Sequence, residues 1–305
     1  MQKPTVIIIL GQTATGKSNL AVKLALRLCS GSSTKKISGE IISADSRQVY
    51  KGLDIGTGKI TKKEMTGVPH HLFDVADPKK RFTVSLFKEL ADKVIIGILS
   101  RGKLPIICGG TGFYIEAVTK NVLLPDVPVN KKLREKLSKK TALQLFEMLN
   151  KLDPERALAI GQHNGLRLIR AIEIVTTLGK VPPIKAEPKY EVLSIGTKTE
   201  KDVLKEKIYK RLISRIRQGM IGEAEKLHST GLSWKRMKEL GLEYRALALH
   251  LSGETTKQEM TDRLNIEIYQ YAKRQIQWFK RDQNIQWFPI EKTKQIDTTI
   301  KKFLK

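Results

Sequence analysis

Cysteine is scarce in this chain, with only Cys29 and Cys108 among 305 residues. Two are too few for a disulfide framework, and no Cys-x-x-Cys pair exists to build a zinc module. Cys29 closes a helical pattern and Cys108 sits in an apolar strand pattern, so both read as small buried residues in a reducing compartment. Long hydrophobic runs are missing too. The run VIIIL at 6–10 is far short of a membrane span and too short for the apolar core of a signal peptide. No membrane association is expected, and the expected location is the cytoplasm. Acidic residues are also in short supply: 31 Asp+Glu face 56 Lys+Arg, for a formal net charge of +25. Self-repulsion of that size works against a compact chain, so a polyanionic partner is the first to consider. Most of the excess is lysine, and a merely lysine-rich composition is the competing account.

Hydrophobic content of 40% and charged content of 29% are those of an ordinary globular protein, long enough for one large core or a core plus a subdomain. Val6–Leu10 is a β-branched run, as a strand covered on both faces should be. Helical spacing follows from Asn19. EIISADS then reads as a second strand with Asp45 just past its end. SLFKELADKVIIGILSRGK reads as an amphipathic helix, and LPIICGGTGFYIEAV as strand, glycine turn and helix. This alternation predicts an α/β fold with a mainly parallel sheet. Ligands in such sheets sit beyond the carboxyl ends of the strands, where Gly11–Ser18, Asp45 and Gly109–Thr111 all fall. From about Asn121 the texture becomes helical and basic, bounded by prolines, until YEVLSIGTK restores a strand. Residues 1–120 are expected to form the first part of a core, 121–187 a helical insertion, and 188–305 a second, mostly helical part of the core.

GQTATGKS at 11–18 matches the P-loop pattern Gly-x-x-x-x-Gly-Lys-Ser in full. Glycines let successive N–H groups turn inward around phosphate oxygens, the following helix adds its positive end, and Lys17 adds a point charge. The Ser18 hydroxyl is a candidate Mg²⁺ ligand. Nucleotide hydrolysis does not follow, because the later strand LPIIC ends in GGTG with no carboxylate to hold the metal through water. Asp45 alone ends a strand near the loop, either as a turn residue or as a base taking a proton from an acceptor.

GQTATGKS, SADSRQVYKGLDIGTGK, GVPHHLFDV and GGTGFYIEAV, with RAIEI…LGKVPP and QYAKRQIQWF further along, together resemble the tRNA dimethylallyltransferase family. The motifs lie in the family's order over nearly the whole chain, and the lack of a zinc module resembles its bacterial members. The resemblance implies a P-loop NTPase-like core with a helical insertion. It also implies transfer of a dimethylallyl group from dimethylallyl diphosphate to N6 of the adenine 3′ to the anticodon, with Mg²⁺ on Ser18. By the same resemblance, Gly11, Gln12, Thr13, Ala14, Thr15, Gly16, Lys17 and Ser18 hold the diphosphate, and Asp45 and Thr111 act at the reacting atoms. Asp45, Ser46, Arg47, Gln48 and Thr111 would meet the tRNA anticodon stem-loop in the core. Arg134, Leu166, Arg167, Leu168, Ile169 and Arg170 would meet it in the insertion. A monomer is expected.

The chain departs from the family pattern at Gln12, where proline is usual, and at Thr15 and Ser18, which keep both hydroxyls. Ile169 and Leu242 replace a polar and an aromatic residue. Two other readings stay open: a prenyl transferase whose acceptor is free AMP, ADP or ATP, and a nucleotide-binding RNA module or small-molecule kinase with ATP in the loop. His70 and His71 are neighbours on an extended segment, so their side chains diverge and a shared metal is not expected. In the late basic–aromatic stretch, Tyr271, Trp278 and Phe279 are expected in the core, with Lys273, Arg274, Lys280 and Arg281 left to face phosphate.

Overall fold

The computed structural model describes residues 3–30, 38–182 and 186–304, without the side chains of 28–30. The Cys29 side chain therefore lies outside the described residues, whereas Cys108 is buried. The chain divides into two compact units, Met1–Asn121 with Pro188–Lys305, and Val122–Glu187.

The larger unit begins with β1 (Thr5–Gly11), α1 (Lys17–Ser30), β2 (Gly39–Ala44), the one-turn α2 (Lys62–Met65) and the two-residue β3 (His70–His71). It continues with α3 (Val84–Ser100), β4 (Leu104–Gly109) and α4 (Gly112–Thr119). The strands form one sheet in the order β3-β2-β4-β1-β5-β6, with every pair parallel. Parallel neighbours need crossovers, and helices supply them. Strand β1 lies between β4 and β5 and alternates between two cores. Ile7 and Ile9 face α1, whereas Val6, Ile8 and Leu10 face the side covered by α3 and α4. Helix α3 starts at Thr83, whose side chain accepts from the Leu86 N–H, and buries Phe87, Ala91, Ile95 and Ile98 at helical spacing.

The smaller unit holds α5 (Lys131–Ser138), α6 (Ala142–Leu152), α7 (Pro154–Ile160) and α8 (Gly165–Leu178) around its own core of Leu137, Leu145, Leu149, Leu168, Ile172 and Val175. Asn130, Thr141, Asp153 and Asn164 cap the four helices in turn, so polar side chains set each boundary.

The chain then returns to the larger unit with β5 (Glu191–Lys198), α9 (Lys201–Arg217), α10 (Met220–Ser229), α11 (Trp234–Glu239) and α12 (Leu242–Leu251). It closes with α13 (Lys257–Phe279), β6 (Gln286–Pro289) and α14 (Thr293–Phe303). The sequence placed no strand after β5; β6 corrects that. It is a short edge strand, and Pro289 sits at its end, where a missing N–H costs little. Ile296 and Ile300 of α14 complete the core on the α1 face.

Candidate active site

The loop between β1 and α1 turns through left-handed backbone at Ala14 (φ 62°) and Gly16 (φ 86°). Two of its side chains face inward as braces. Thr15 is 1% exposed, and its hydroxyl donates to Gln12 O (2.8 Å), which leaves it to accept from Thr197 Oγ1 (2.7 Å). Gln12 Nε2 donates to Ala272 O on α13 (3.1 Å). Gln12 and Thr15 therefore offer an anion only their backbones. Lys17 lies across the loop with Nζ donating to Gln12 O.

The Lys17 ammonium is brought down to about 8, chiefly by desolvation and also by the positive charge of Arg211, while Cys108 and Asp45 pull the other way. Arg211, from α9, was not found from the sequence. Its Nη1 donates to Thr13 Oγ1 (3.3 Å) and its Nη2 to Gly58 O (2.9 Å). Burial first, and Arg215 second, lower its pKa. Among the described residues it forms no ion pair. Two partly desolvated cations facing one another beside a glycine-rich loop are electrostatically costly, and an anion between them relieves that cost.

Asp45 stands just past β2. Its Oδ1 accepts the N–H groups of Arg47 (2.8 Å) and Gln48 (3.3 Å), an Asx turn that aims the side chain. Its Oδ2 has no donor among the described residues. One oxygen thus shapes the turn, as the turn reading has it, and the other is left without a donor among the described residues. Thr111 Oγ1 accepts from Ser46 N (3.0 Å), and the Thr111 N–H donates to Ala44 O (3.1 Å), which ties the ends of β4 and β2 together. Gln48 is held by Ser43 Oγ (3.2 Å) and loosely by the carbonyls of Thr57 (3.4 Å) and Gly58 (3.5 Å). At those lengths its amide is cheap to redirect.

A cleft of about 290 Å³ gathers Thr13, Asp45, Ser46 and Arg47 with Glu243, Tyr271 and Arg274. Tyr271 therefore corrects an expectation: it is half-buried and lines this cleft instead of filling the core. Phe279 is core at 3% exposure and Trp278 is half-buried, while Lys273, Arg274, Lys280 and Arg281 are exposed. Helical periodicity could not separate a cleft wall from a core face, because both are apolar stripes on one helix.

In the smaller unit, Leu168 is fully buried and presents no surface to RNA, whereas Leu166 and Arg167 are exposed and Ile169 is half-buried. Arg134 and Arg170 converge on Glu173, at 2.7 and 2.5 Å, and Arg170 also donates to Val127 O. Burial raises the Glu173 pKa, but the bonds from both guanidinium groups and from Asn130 N–H outweigh it and leave the carboxylate ionised. The two arginines and one carboxylate carry a net charge of +1. His71 pairs with Glu40 (2.7 Å) and His70 with Val68 O (2.8 Å), so the two rings serve different partners.

The IPP transferase family pattern matches residues 48–282. The tRNA dimethylallyltransferase of Halalkalibacterium halodurans is 38% identical over 299 residues, covering 94% of this chain and 92% of that one. The crystal structure of the full-length tRNA isopentenylpyrophosphate transferase from Bacillus halodurans has a TM-score of 0.73 and 37% identity, and the match covers 98% and 96% of the two chains. A eukaryotic dimethylallyltransferase acting on tRNA superposes with a TM-score of 0.78 at 25% identity, over 94% of this chain and 74% of that one. These relatives are described as enzymes of tRNA, and none of the three lends support to a free adenine nucleotide as acceptor.

Proposed function

The chain belongs to the IPP transferase family and, like its relatives, is a prenyl transferase acting on tRNA. We propose that it moves the dimethylallyl group of dimethylallyl diphosphate to N6 of the adenine 3′ to the anticodon, position 37. The observation that supports this most is the pairing of a cationic loop with a carboxylate whose Oδ2 has no donor among the described residues, both at the carboxyl ends of parallel strands.

In this reading the allylic C–O bond breaks and its electrons leave with diphosphate. Loop N–H groups, Lys17 and Arg211 meet that charge where it develops. The N6 lone pair forms the new C–N bond, and the proton lost from nitrogen passes to Asp45 Oδ2. Thr111, fixed by Ser46 N–H, holds the acceptor side, with Tyr271 and Arg47 as walls for an adenine drawn out of its stack. One hydroxyl, Ser18, at the start of α1 fits Mg²⁺, which is usually held by few protein ligands together with phosphate oxygens and water. Among the described residues no cluster of three carboxylate, imidazole or thiol ligands competes for a metal. Bound there, the ion would add positive charge against the departing diphosphate. In the smaller unit, Leu166, Arg167, Ile169, Arg134 and Arg170 are the surface assigned to the tRNA anticodon stem-loop. Among the described residues no helix is long and apolar enough to cross a membrane; we take a single chain in the cytoplasm as the working unit.

The test is mass spectrometry of tRNA incubated with dimethylallyl diphosphate and Mg²⁺. A five-carbon addition on the adenine, lost in Asp45→Ala while diphosphate binding persists, is the expected result. Modification of free AMP instead of tRNA, turnover of ATP, or an Asp45→Ala variant within about tenfold of the parent rate would overturn it.

A further inference from the structure

The motif QYAKRQIQWF contains one side chain that the chemistry above leaves unused. Gln275 of α13 is 6% exposed, and both ends of its amide are committed. Its Oε1 accepts from Thr13 N–H (2.8 Å) in the phosphate loop, and its Nε2 donates to Gly110 O (3.0 Å) beyond β4. The reverse orientation would set NH₂ against N–H and oxygen against oxygen, so the bonding pattern admits one orientation only.

The position of these two partners is informative. Strands β1 and β4 are paired up to Leu10 and Gly109, and then their backbones part. One goes on as the loop for diphosphate; the other leads within two residues to Thr111. The Gln275 carboxamide spans that gap as a peptide group would, adding one more rung where the sheet ends. Surrounding residues enforce the fit. A Cβ on Gly110 would overlap Gln275 Nε2, and one on Gly112 would overlap Trp278, the residue one turn on along the same helix face. Ala272, one turn earlier, accepts from Gln12. Helix α13 thus holds the loop at 12–13 and the strand end at 110–112 with one face.

We propose that Gln275 is a positioning residue that sets the distance between the leaving-group cradle and the acceptor side of the reaction. This rests on the assignment of the loop to diphosphate and of Asp45 and Thr111 to the acceptor. Each half of the site has its own ligands and forms without the bridge, but their registration does not. A misplacement of about 1 Å between reacting groups costs on the order of a hundredfold in rate.

Gln275→Met keeps the volume and removes both bonds. Gln275→Asn keeps the amide but, one methylene shorter, reaches a single backbone; it carries the test should the first variant fold poorly. The measurements are single-turnover transfer from saturating dimethylallyl diphosphate to saturating tRNA, and calorimetric binding of inorganic diphosphate. We expect the transfer rate to fall by about tenfold or more while the diphosphate Kd stays within about threefold. A double variant with Gly110→Ala, which displaces the same amide, should be little slower than either single variant. A smaller fall in rate, a Kd that rises as much as the rate drops, or additive losses in the double variant would each overturn the proposal. If the unaltered chain transfers no prenyl group to tRNA, the functional assignment fails, and that outcome is separate from these.

Discussion

Lys17 offers a test of the leaving-group cradle that needs no substrate turnover. Burial and Arg211 lower its pKa from 10.5 to about 8 in the free protein. A bound diphosphate surrounds the ammonium with negative charge and should restore at least the ordinary value. Binding then draws in a proton wherever the free side chain is neutral and the bound one is charged. With those two values, affinity for dimethylallyl diphosphate, a monoester whose charge is constant over this window, is nearly flat below about pH 7.5 and is about 25-fold weaker at pH 9.5 than at pH 7, a loss of about 2 kcal/mol. About 0.9 proton should be taken up per binding event near pH 9, where a diphosphate monoester, unlike inorganic diphosphate, has finished titrating. Calorimetry in two buffers of different ionisation enthalpy reads that number directly. Lys17→Met should bind more weakly at pH 7 and lose the pH dependence. Folding stability carries the opposite sign. The folded pKa lies below the unfolded one, so the penalty is full below about pH 8 and disappears as pH rises toward 10.5. A flat affinity between pH 7 and 9.5, or no proton uptake near pH 9, would refute the premise that the protein keeps this ammonium desolvated for an anion.

Arg211→Met should raise the diphosphate Kd by about tenfold to a hundredfold, because a charge-assisted bond is lost, and should reduce but not abolish the pH dependence from Lys17, whose shift comes mainly from burial; titration calorimetry reads both. Glu40, 3% exposed, accepts from Arg101, Lys103 and His71 at 2.7 Å each. Burial raises its pKa, but those three bonds outweigh it and bring the carboxyl down to about 2. Its stabilisation should be complete above 4.5 and be lost as pH falls through about 2. Glu40→Gln should cost about 2–3 kcal/mol in chemical denaturation at neutral pH, less than a fully buried pair because its partners reach solvent, with the transfer rate per folded molecule unchanged. Glu173→Gln should destabilise the smaller unit and, by freeing Arg134 and Arg170, strengthen tRNA binding several-fold at low salt. A filter-binding titration showing no such gain would assign both arginines to structure alone.

Much of the site was legible because its chemistry is local. A glycine loop followed by Lys and Ser, or an Asp at the end of an apolar strand, is complete within a few residues. The unbroken apolar run at 6–10 likewise announced that β1 is covered on both faces. What stayed hidden was made by distant segments. Arg211 reads in the sequence as one more cation on a basic helix, and only its approach to Thr13 and Gly58 sets it apart. Tyr271 and Phe279 share a helical stripe, yet one walls the cleft and the other fills the core. Leu168 and Leu166 differ by two positions and point to opposite environments, because α8 buries only one face. The edge strand β6 escaped because four residues at a rim carry too little periodicity to be read.

The amino-acid order alone determined the glycine-rich loop with its Lys and Ser, the layered α/β plan and the basic character, since backbone freedom at glycine, hydrophobic periodicity and net charge are properties of short segments or of the whole sum. Tertiary structure decided which of many basic and amide side chains matter. Arg211 came to hydrogen-bond Thr13 of the loop, Arg134 and Arg170 were drawn to Glu173, and Gln275 came to bridge two parting strands. The physical reason is that desolvation and hydrogen-bond geometry act through space. A side chain 262 residues away along the chain can complete a loop that its own neighbours leave open.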